Sequence, residues 1–118
     1  MRTTILITVL SLLLGATIKA NAHAFLDHAN PRVGNAVATA PRDVTLWFTQ
    51  KLEPAFSTMT ITDSSGQRVD AGKPSINGNV MRVPLRVVKA GTYRVTWRVL
   101  SIDTHTTEGT FSFTVGSQ

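Results

Sequence analysis

The sequence of residues 93–115 is YRVTWRVLSIDTHTTEGTFSFTV, which is two alternating apolar and polar segments separated by a polar loop. Every second residue from Tyr93 to Val99 is apolar, and so is every second residue from Phe111 to Val115. A period of two is typical of β-strands that bury one face. The stretch therefore predicts two strands joined by a loop, and a fold built around that pair.

The loop between these strands contains Asp103 and His105, which are separated by one residue. In an extended segment, residues two apart project to the same face, so we expect the carboxylate and the imidazole to lie side by side. Such a pair can bind a metal ion, because histidine is a common metal ligand. The alternative is an ordinary solvated loop histidine, and the pair alone does not decide between the two.

The first 22 residues have the pattern of a secretory signal peptide. Arg2 precedes an apolar run over residues 5–14, and the segment ends in Ala20-Asn21-Ala22. The run is shorter than the roughly 20 residues that a membrane-spanning helix needs, and small residues suit the signal peptidase. We therefore predict cleavage rather than a retained membrane anchor, with a single domain over residues 23–118.

Cleavage after Ala22 makes His23 the first residue, with a free α-amine beside its imidazole. These two nitrogens can chelate one metal ion, and they suit Cu(II) in a tetragonal arrangement. The triplet Ala22-His23-Ala24 also fits a signal peptidase, and cleavage after Ala24 would leave Phe25 first and remove the chelate. The sequence alone leaves both cleavage frames open.

Composition narrows the classes of function. Removing residues 1–22 from the 118 leaves 96, enough for one core, and lowers the formal charge from +5 to +3 because Arg2 and Lys19 are lost. The chain has no cysteine, which excludes disulfides and thiolate metal sites. Its basic residues are dispersed singly, which argues against a nucleic-acid partner.

Short alternating segments and turn residues recur from residue 23 onward, without a helical period. This spacing predicts an all-β fold, a Greek-key β-barrel or sandwich of about seven strands, cupredoxin-like or immunoglobulin-like. Residues 72–78 are predicted to form a polar loop. The predicted strands cover residues 24–28, a segment from 36, and residues 44–48, 56–62, 80–88, 93–99 and 111–115.

A first-residue histidine, the Ala90-Gly91-Thr92-Tyr93-Arg94-Val95-x-Trp97 run and the Ser101-x-Asp103-x-His105 motif together resemble the CopC family of periplasmic copper-resistance proteins. The resemblance covers nearly all of residues 23–118. It implies a small β-barrel that binds one Cu(II) through the amine and ring of His23, through Asp103 and through His105. It also favours cleavage after Ala22, because only that frame creates the ligand.

Two features depart from this family pattern. Several family members have a methionine-rich segment that binds Cu(I), whereas residues 62–75 here contain no methionine. Met59 and Met81 are predicted to lie in the core. Gln50 stands where many relatives have an acidic residue near the copper, and Glu53 is a candidate replacement.

Three further polar residues lie near the predicted site in sequence. His28 is five residues after His23, which places it on the opposite face of a strand. We expect it to be a surface histidine, with an additional ligand as the alternative. Asp27 and Glu108 are expected to face water, and Glu108 could also contact the metal ligands from outside.

The favoured function is a periplasmic copper carrier or buffer without catalytic turnover. The expected partners are copper and an inner-membrane copper transporter or a copper-accepting protein. We expect a monomer with no membrane contact after cleavage. The sequence offers no nucleophile and base pair and no phosphate-binding glycine loop. The alternatives are a copper monooxygenase with an N-terminal histidine, normally a much longer chain, and a metal-free interaction module of immunoglobulin type.

Overall fold

The computed structural model of the protein describes residues 24–86 and 88–116. Within them the chain forms eight strands and a short 3-10 helix at Pro54–Phe56. The prediction of an all-β fold is confirmed, with one strand more than the sequence suggested. The strands are β1 (Leu26–Asn30), β2 (Ala36–Val37), β3 (Asp43–Phe48), β4 (Thr58–Thr62), β5 (Ser75–Asn77), β6 (Val80–Pro84), β7 (Gly91–Leu100) and β8 (Thr106–Val115).

The strands form two four-stranded sheets. One has the order β1-β3-β6-β5 and the other the order β2-β8-β7-β4. Neighbouring strands are antiparallel except for β2, which runs parallel to β8. At one side the segment around Val69 joins the sheets, because its N–H donates to Ile61 (2.8 Å) and its C=O accepts from Arg86 (2.8 Å). This segment closes one side of the sandwich.

The core lies between the sheets and is filled by the inward residues of the alternating strands. Along β7 the residues Tyr93, Val95, Trp97 and Val99 are all buried, while the intervening residues are exposed. The other large buried side chains include Val44, Leu46, Phe48, Met59, Ile61, Met81, Val83, Phe111 and Phe113. Burial of this apolar surface is the main stabilising term of such a fold.

One part of the sequence prediction is wrong. Residues 72–78 are not a loop throughout, since they include β5, which pairs with β6 across a two-residue turn at Gly78 and Asn79. Gly78 has φ +63°, as a tight hairpin of this kind requires. The strand was missed because only Ile76 contributes a partly buried apolar side chain.

Several predicted boundaries shift by a few residues. The first strand begins at Leu26 and not at Ala24, and β6 ends at Pro84 and not at Val88. The proline lacks the N–H that a continued ladder needs. Val87, which was predicted to face inward, lies outside the described residues.

The predicted signal peptide, residues 1–22, also lies outside the described residues, as does His23. Cleavage therefore stays a prediction. In the part of the chain that is described, no helix is long and apolar enough to cross a membrane.

Gly109 in β8 provides a test of the packing between β7 and β8. It lies opposite Trp97, and a Cβ added at Gly109 would stand 2.6 Å and 2.9 Å from two atoms of the indole ring. We expect Gly109→Ala to lower the free energy of unfolding by about 1–3 kcal/mol, because the ring must move out of a packed position. Urea unfolding measures the effect.

The matched control for this substitution is Ser112→Ala on the exposed face of the same strand. It should change the free energy of unfolding by less than about 0.5 kcal/mol. Equal stability of the Gly109→Ala and parent proteins would contradict the described position of Trp97.

Candidate metal centre

The candidate site lies in the loop between β7 and β8. The last pair of the hairpin is Leu100 with Thr106, so residues 101–105 form the whole connection. The N–H of Thr104 donates to the C=O of Ser101 (2.9 Å), and the N–H of Ser101 donates to the C=O of His105 (3.0 Å). These two bonds make the loop a compact turn.

Thr104 adopts φ +74°, the only positive φ among the described residues other than glycine. A left-handed conformation is uncommon for a β-branched residue, and such residues concentrate at functional sites. Its position between Asp103 and His105 reverses the chain direction between the two candidate ligands.

The side chain of Ser101 stabilises this turn through hydrogen bonds. Its side chain is fully buried, and its hydroxyl donates to the carboxylate of Asp103 while accepting from the backbone N–H of His105 (3.3 Å). A buried hydroxyl that is hydrogen-bonded in this way stabilises one loop conformation, since leaving it unpaired would cost free energy. Ser101 therefore fixes both candidate ligands at once.

The structure brings Asp103 and His105 together. The Nδ1 of His105 lies 3.6 Å from Oδ1 of Asp103, and the two side chains are 48% and 38% exposed respectively. The distance is just beyond a hydrogen bond and is compatible with one metal ion held by both donors. The predicted juxtaposition is thus present, although it arises from a turn and not from an extended segment.

The pKa of Asp103 is lowered from its usual value. The main cause is the hydrogen bond from the Ser101 hydroxyl, and the imidazole of His105 adds to it, against a smaller opposing effect of burial. Hydrogen bonds to the charged form favour ionisation. Asp103 is therefore a carboxylate at neutral pH, as metal binding requires.

The chain segment between β3 and β4 supports the loop. The C=O of Lys51 accepts from Ile102 (3.1 Å), and the N–H of Glu53 donates to the C=O of Leu100 (2.8 Å). Leu52 also forms an isolated bridge with Ser101. The chain between β3 and β4 therefore packs directly against the candidate site.

The N-terminal segment is also anchored at this end of the sandwich. The Thr107 hydroxyl donates to the C=O of Ala24 (2.6 Å), and Ala24 is fully buried. Phe25 exchanges two hydrogen bonds with Thr49, each 2.9 Å long. Thr107 follows His105 by two residues, so the first described residues of the chain lie beside the loop of the candidate site.

Within the described residues, no three His, Asp or Glu side chains are close enough together to hold a metal ion. Asp103 and His105 supply two donors, and tight binding needs further ligands. His23, the third ligand predicted from the sequence, precedes the described residues. The set of three therefore stays a prediction.

His28 is a surface histidine, as expected, but its setting was not foreseen. Its ring stacks on Trp47, with centroids 4.3 Å apart and planes 9° from parallel, and its Nδ1 lies 2.7 Å from a carboxylate oxygen of Asp27. Asp27 is 62% exposed and faces water as expected, while it also pairs with His28. The pairing of β1 with β3 is irregular between Leu26 and His28, and the resulting register places His28 opposite Trp47.

Three other polar candidates from the sequence, Gln50, Glu53 and Glu108, differ in their positions relative to the loop. Gln50 and Glu53 are half-buried beside the loop, and Glu53 precedes the 3-10 helix. Glu108 is exposed on β8 opposite Arg98, which agrees with the expectation that it faces water.

Met59 and Met81 are 1% and 0% exposed, so both belong to the core as predicted.

Comparison with known proteins gives a consistent result across the domain. A model of the CopC domain matches residues 26–116. The chain is 38% identical over 109 residues to the copper resistance protein C of Xanthomonas campestris pv. juglandis, and the match covers 85% of each sequence.

Solved structures show the same similarity. The crystal structure of CopC from Methylosinus trichosporium OB3b matches with a TM-score of 0.76 and 34% identity, covering 81% of this chain and 96% of that one. PcoC, a methionine-rich copper resistance protein from Escherichia coli, matches with a TM-score of 0.70 and 36% identity, covering 80% of this chain and 99% of that one.

The role of Ser101 can be tested by titration. In Ser101→Ala the pKa of Asp103 should rise toward its usual value, because the hydrogen bond that contributes most to its depression is lost. An NMR titration of the side-chain carboxyl carbons measures this pKa.

Asp63 serves as an internal control in the same titration. Its pKa is also lowered, mainly by the hydroxyl of Ser65, and it should not change in Ser101→Ala. An unaltered Asp103 pKa would show that the hydroxyl does not control this carboxylate.

Proposed function

Since the chain belongs to the CopC family, we propose that residues 23–118 form a periplasmic carrier or buffer for copper. The domain binds one Cu(II) through the amine and ring of His23, the carboxylate of Asp103 and the ring of His105. The observation that carries this assignment is the anchoring of Ala24 by Thr107, beside the loop that holds Asp103 and His105.

Covalent geometry supports the inclusion of His23. Consecutive Cα atoms lie about 3.8 Å apart, so residue 23 starts within one peptide unit of Ala24. Ala24 is fully buried and its carbonyl is held by the second residue after His105. We therefore include His23 in the proposed ligand set, because it is bonded to Ala24, which is held beside the loop of Asp103 and His105.

The donor types suit Cu(II). An α-amine and two imidazoles supply nitrogen, the Asp103 carboxylate supplies oxygen, and four such donors match the tetragonal preference of Cu(II). The Ser101 hydrogen bonds hold Asp103 and the His105 backbone before the metal arrives. Such preorganisation reduces the ordering that binding requires.

The exposure of the donors favours transfer of copper over catalysis. Asp103 and His105 are each between a third and a half exposed, so an acceptor protein can approach the metal and exchange ligands. The Ser101 hydroxyl, which is hydrogen-bonded to the Asp103 carboxylate, is fully buried and is therefore not accessible to a substrate as a nucleophile. We propose delivery to, or receipt from, a copper transporter or a copper-accepting protein after export and cleavage behind Ala22.

The ligand set can be tested one residue at a time in the mature protein. His23→Ala, Asp103→Ala and His105→Ala should each weaken Cu(II) binding by at least about 100-fold, since each removes a bond and leaves an incomplete chelate. Titration against a competing chelator, with EPR spectra of each variant, measures the loss.

His28→Ala is the matched control for these three variants. Its side chain already pairs with Asp27 and stacks on Trp47, so binding should change by less than about 3-fold. An unchanged copper EPR spectrum in His105→Ala would rule out the proposed ligand set.

The N-terminal amine gives a second test. Adding one glycine before His23 converts this amine into an amide, which binds Cu(II) only after losing a proton, so affinity should fall strongly near neutral pH. The fold should be unchanged, because chain ends commonly tolerate additions. Copper titrations of both forms at several pH values provide the comparison, and equal affinities would show that the amine is not a ligand.

The site should discriminate against Cu(I). Its donors are nitrogen and oxygen, whereas Cu(I) prefers thioether or thiolate sulfur, and both methionines of the mature chain are buried in the core. Ascorbate should therefore release the copper, as followed with a Cu(I)-specific chelator. Tight retention of Cu(I) would instead indicate that Met59 or Met81 becomes available.

A further inference from the structure

A groove of about 680 Å³ lies along the outer side of β4, the edge strand of its sheet. Its volume is in the range of about 300–1,000 Å³ that is usual for binding sites. The groove contains neither Asp103 nor His105. Its walls are formed by Thr58, Met59, Thr60, Arg68, Asp70, Gly72, Lys73, Pro74 and Arg86.

The chain itself covers one half of this strand edge. Arg68 forms a bridge with Thr62, and the N–H of Val69 donates to the C=O of Ile61 (2.8 Å). This extended segment ends near Gly72, where φ is +105° and an added Cβ would meet no atom within 4 Å. Beyond that point residues 58–60 of the edge line the groove.

Asp70 shows that the edge of β4 can bind a carboxylate. Its carboxylate takes a hydrogen bond from the outward N–H of Ile61 (2.9 Å) and two from Arg68 (2.6 and 3.2 Å). The side chain of Asp70 is only 1% exposed, so the acid is desolvated and fully paired there. A carboxylate on an extended segment is thus already accommodated beside β4.

Lys73 and Arg86 also line the groove, but in the described part of the chain they have no carboxylate partner of the kind that Arg68 has in Asp70. Both are exposed, and neither forms an ion pair with any residue that the structure describes. By contrast, Arg82 on the opposite sheet is paired with Asp43 (3.0 Å). The uncovered half of the groove therefore carries two uncompensated positive charges.

We propose that this groove binds an extended acidic segment of a partner protein, whose carboxylates pair with Lys73 and Arg86 as Asp70 pairs with Arg68. Carboxylates complement these cations, and an extended chain continues the line that residues 68–71 follow along β4. This partner site is independent of the copper ligands.

The backbone of β4 is consistent with an extended partner. Ile61 directs its N–H and C=O away from β7, and in an antiparallel ladder this direction repeats at Met59. Met59 is only 1% exposed, so an incoming segment must part the neighbouring side chains to reach it. Recognition therefore begins at the two cations on the rim.

The competing explanation is protection of the edge. Lysine and other charged residues on edge strands prevent unwanted strand pairing, without binding anything. The two explanations differ in a measurable way, because protection requires no affinity for acidic chains.

The test uses the copper-free mature protein and a capped peptide of alternating glutamate and threonine, followed by two-dimensional NMR. The backbone signals of Thr58, Thr60, Gly72 and Lys73 should shift on titration, and added salt should weaken the effect. In the variant Lys73→Glu/Arg86→Glu, binding should be at least about tenfold weaker.

The charge-matched control is Arg32→Glu/Lys89→Glu, which reverses two exposed charges outside the groove and should bind the peptide nearly as the parent does. Thermal unfolding and copper titration should be the same in all three proteins. Equal loss in the control, shifts spread over every basic residue, or response only to heparin or to anionic lipid vesicles would overturn the proposal.

Discussion

The buried hydroxyl of Ser101 is the interaction on which the candidate site depends. It lies at the end of β7, fully removed from solvent, and connects the Asp103 carboxylate to the His105 backbone. Its neighbour in the isolated bridge is Leu52, so the same residue also joins the hairpin to the chain after β3. A residue in this position must be small, polar and internally satisfied, because a larger or apolar side chain would leave buried groups unpaired.

The site combines a local part with a distant one. Asp103 and His105 come from one turn, whereas the N-terminal segment reaches the same place through the contact of Ala24 with Thr107, across 83 positions of the chain. Pairing of β1 with β3 holds that segment from the other side. Folding of the sandwich therefore brings the two parts together, and the proposed chelate adds only the first residue to a prepared loop.

The alternation in residues 93–115 was sufficient to predict β7, the second half of β8 and their buried faces, because burial of one face imposes a period of two. Residues 106–110 of β8 were not predicted as strand, and none of them is buried. Alternation failed to predict β5, because the three residues of this strand contribute little apolar surface. The proximity of Asp103 and His105 was predicted correctly, but it was predicted from an extended segment, whereas Thr104 at positive φ makes a turn there. The stack of His28 on Trp47 depends on an irregularity in strand pairing, and no local pattern in the sequence encodes such a contact.

The central claim is that copper is held jointly by the N-terminal residue and by the β7–β8 loop. Pulsed EPR of the Cu(II)-loaded mature protein, with histidine labelled with ¹⁵N, tests it most directly by counting the coordinated imidazoles. The account predicts two coordinated imidazoles in the authentic protein, those of His23 and His105, together with the α-amine of His23. In the His105→Ala protein one labelled imidazole should remain. A single imidazole in the authentic protein, or two that persist without His105, would contradict it.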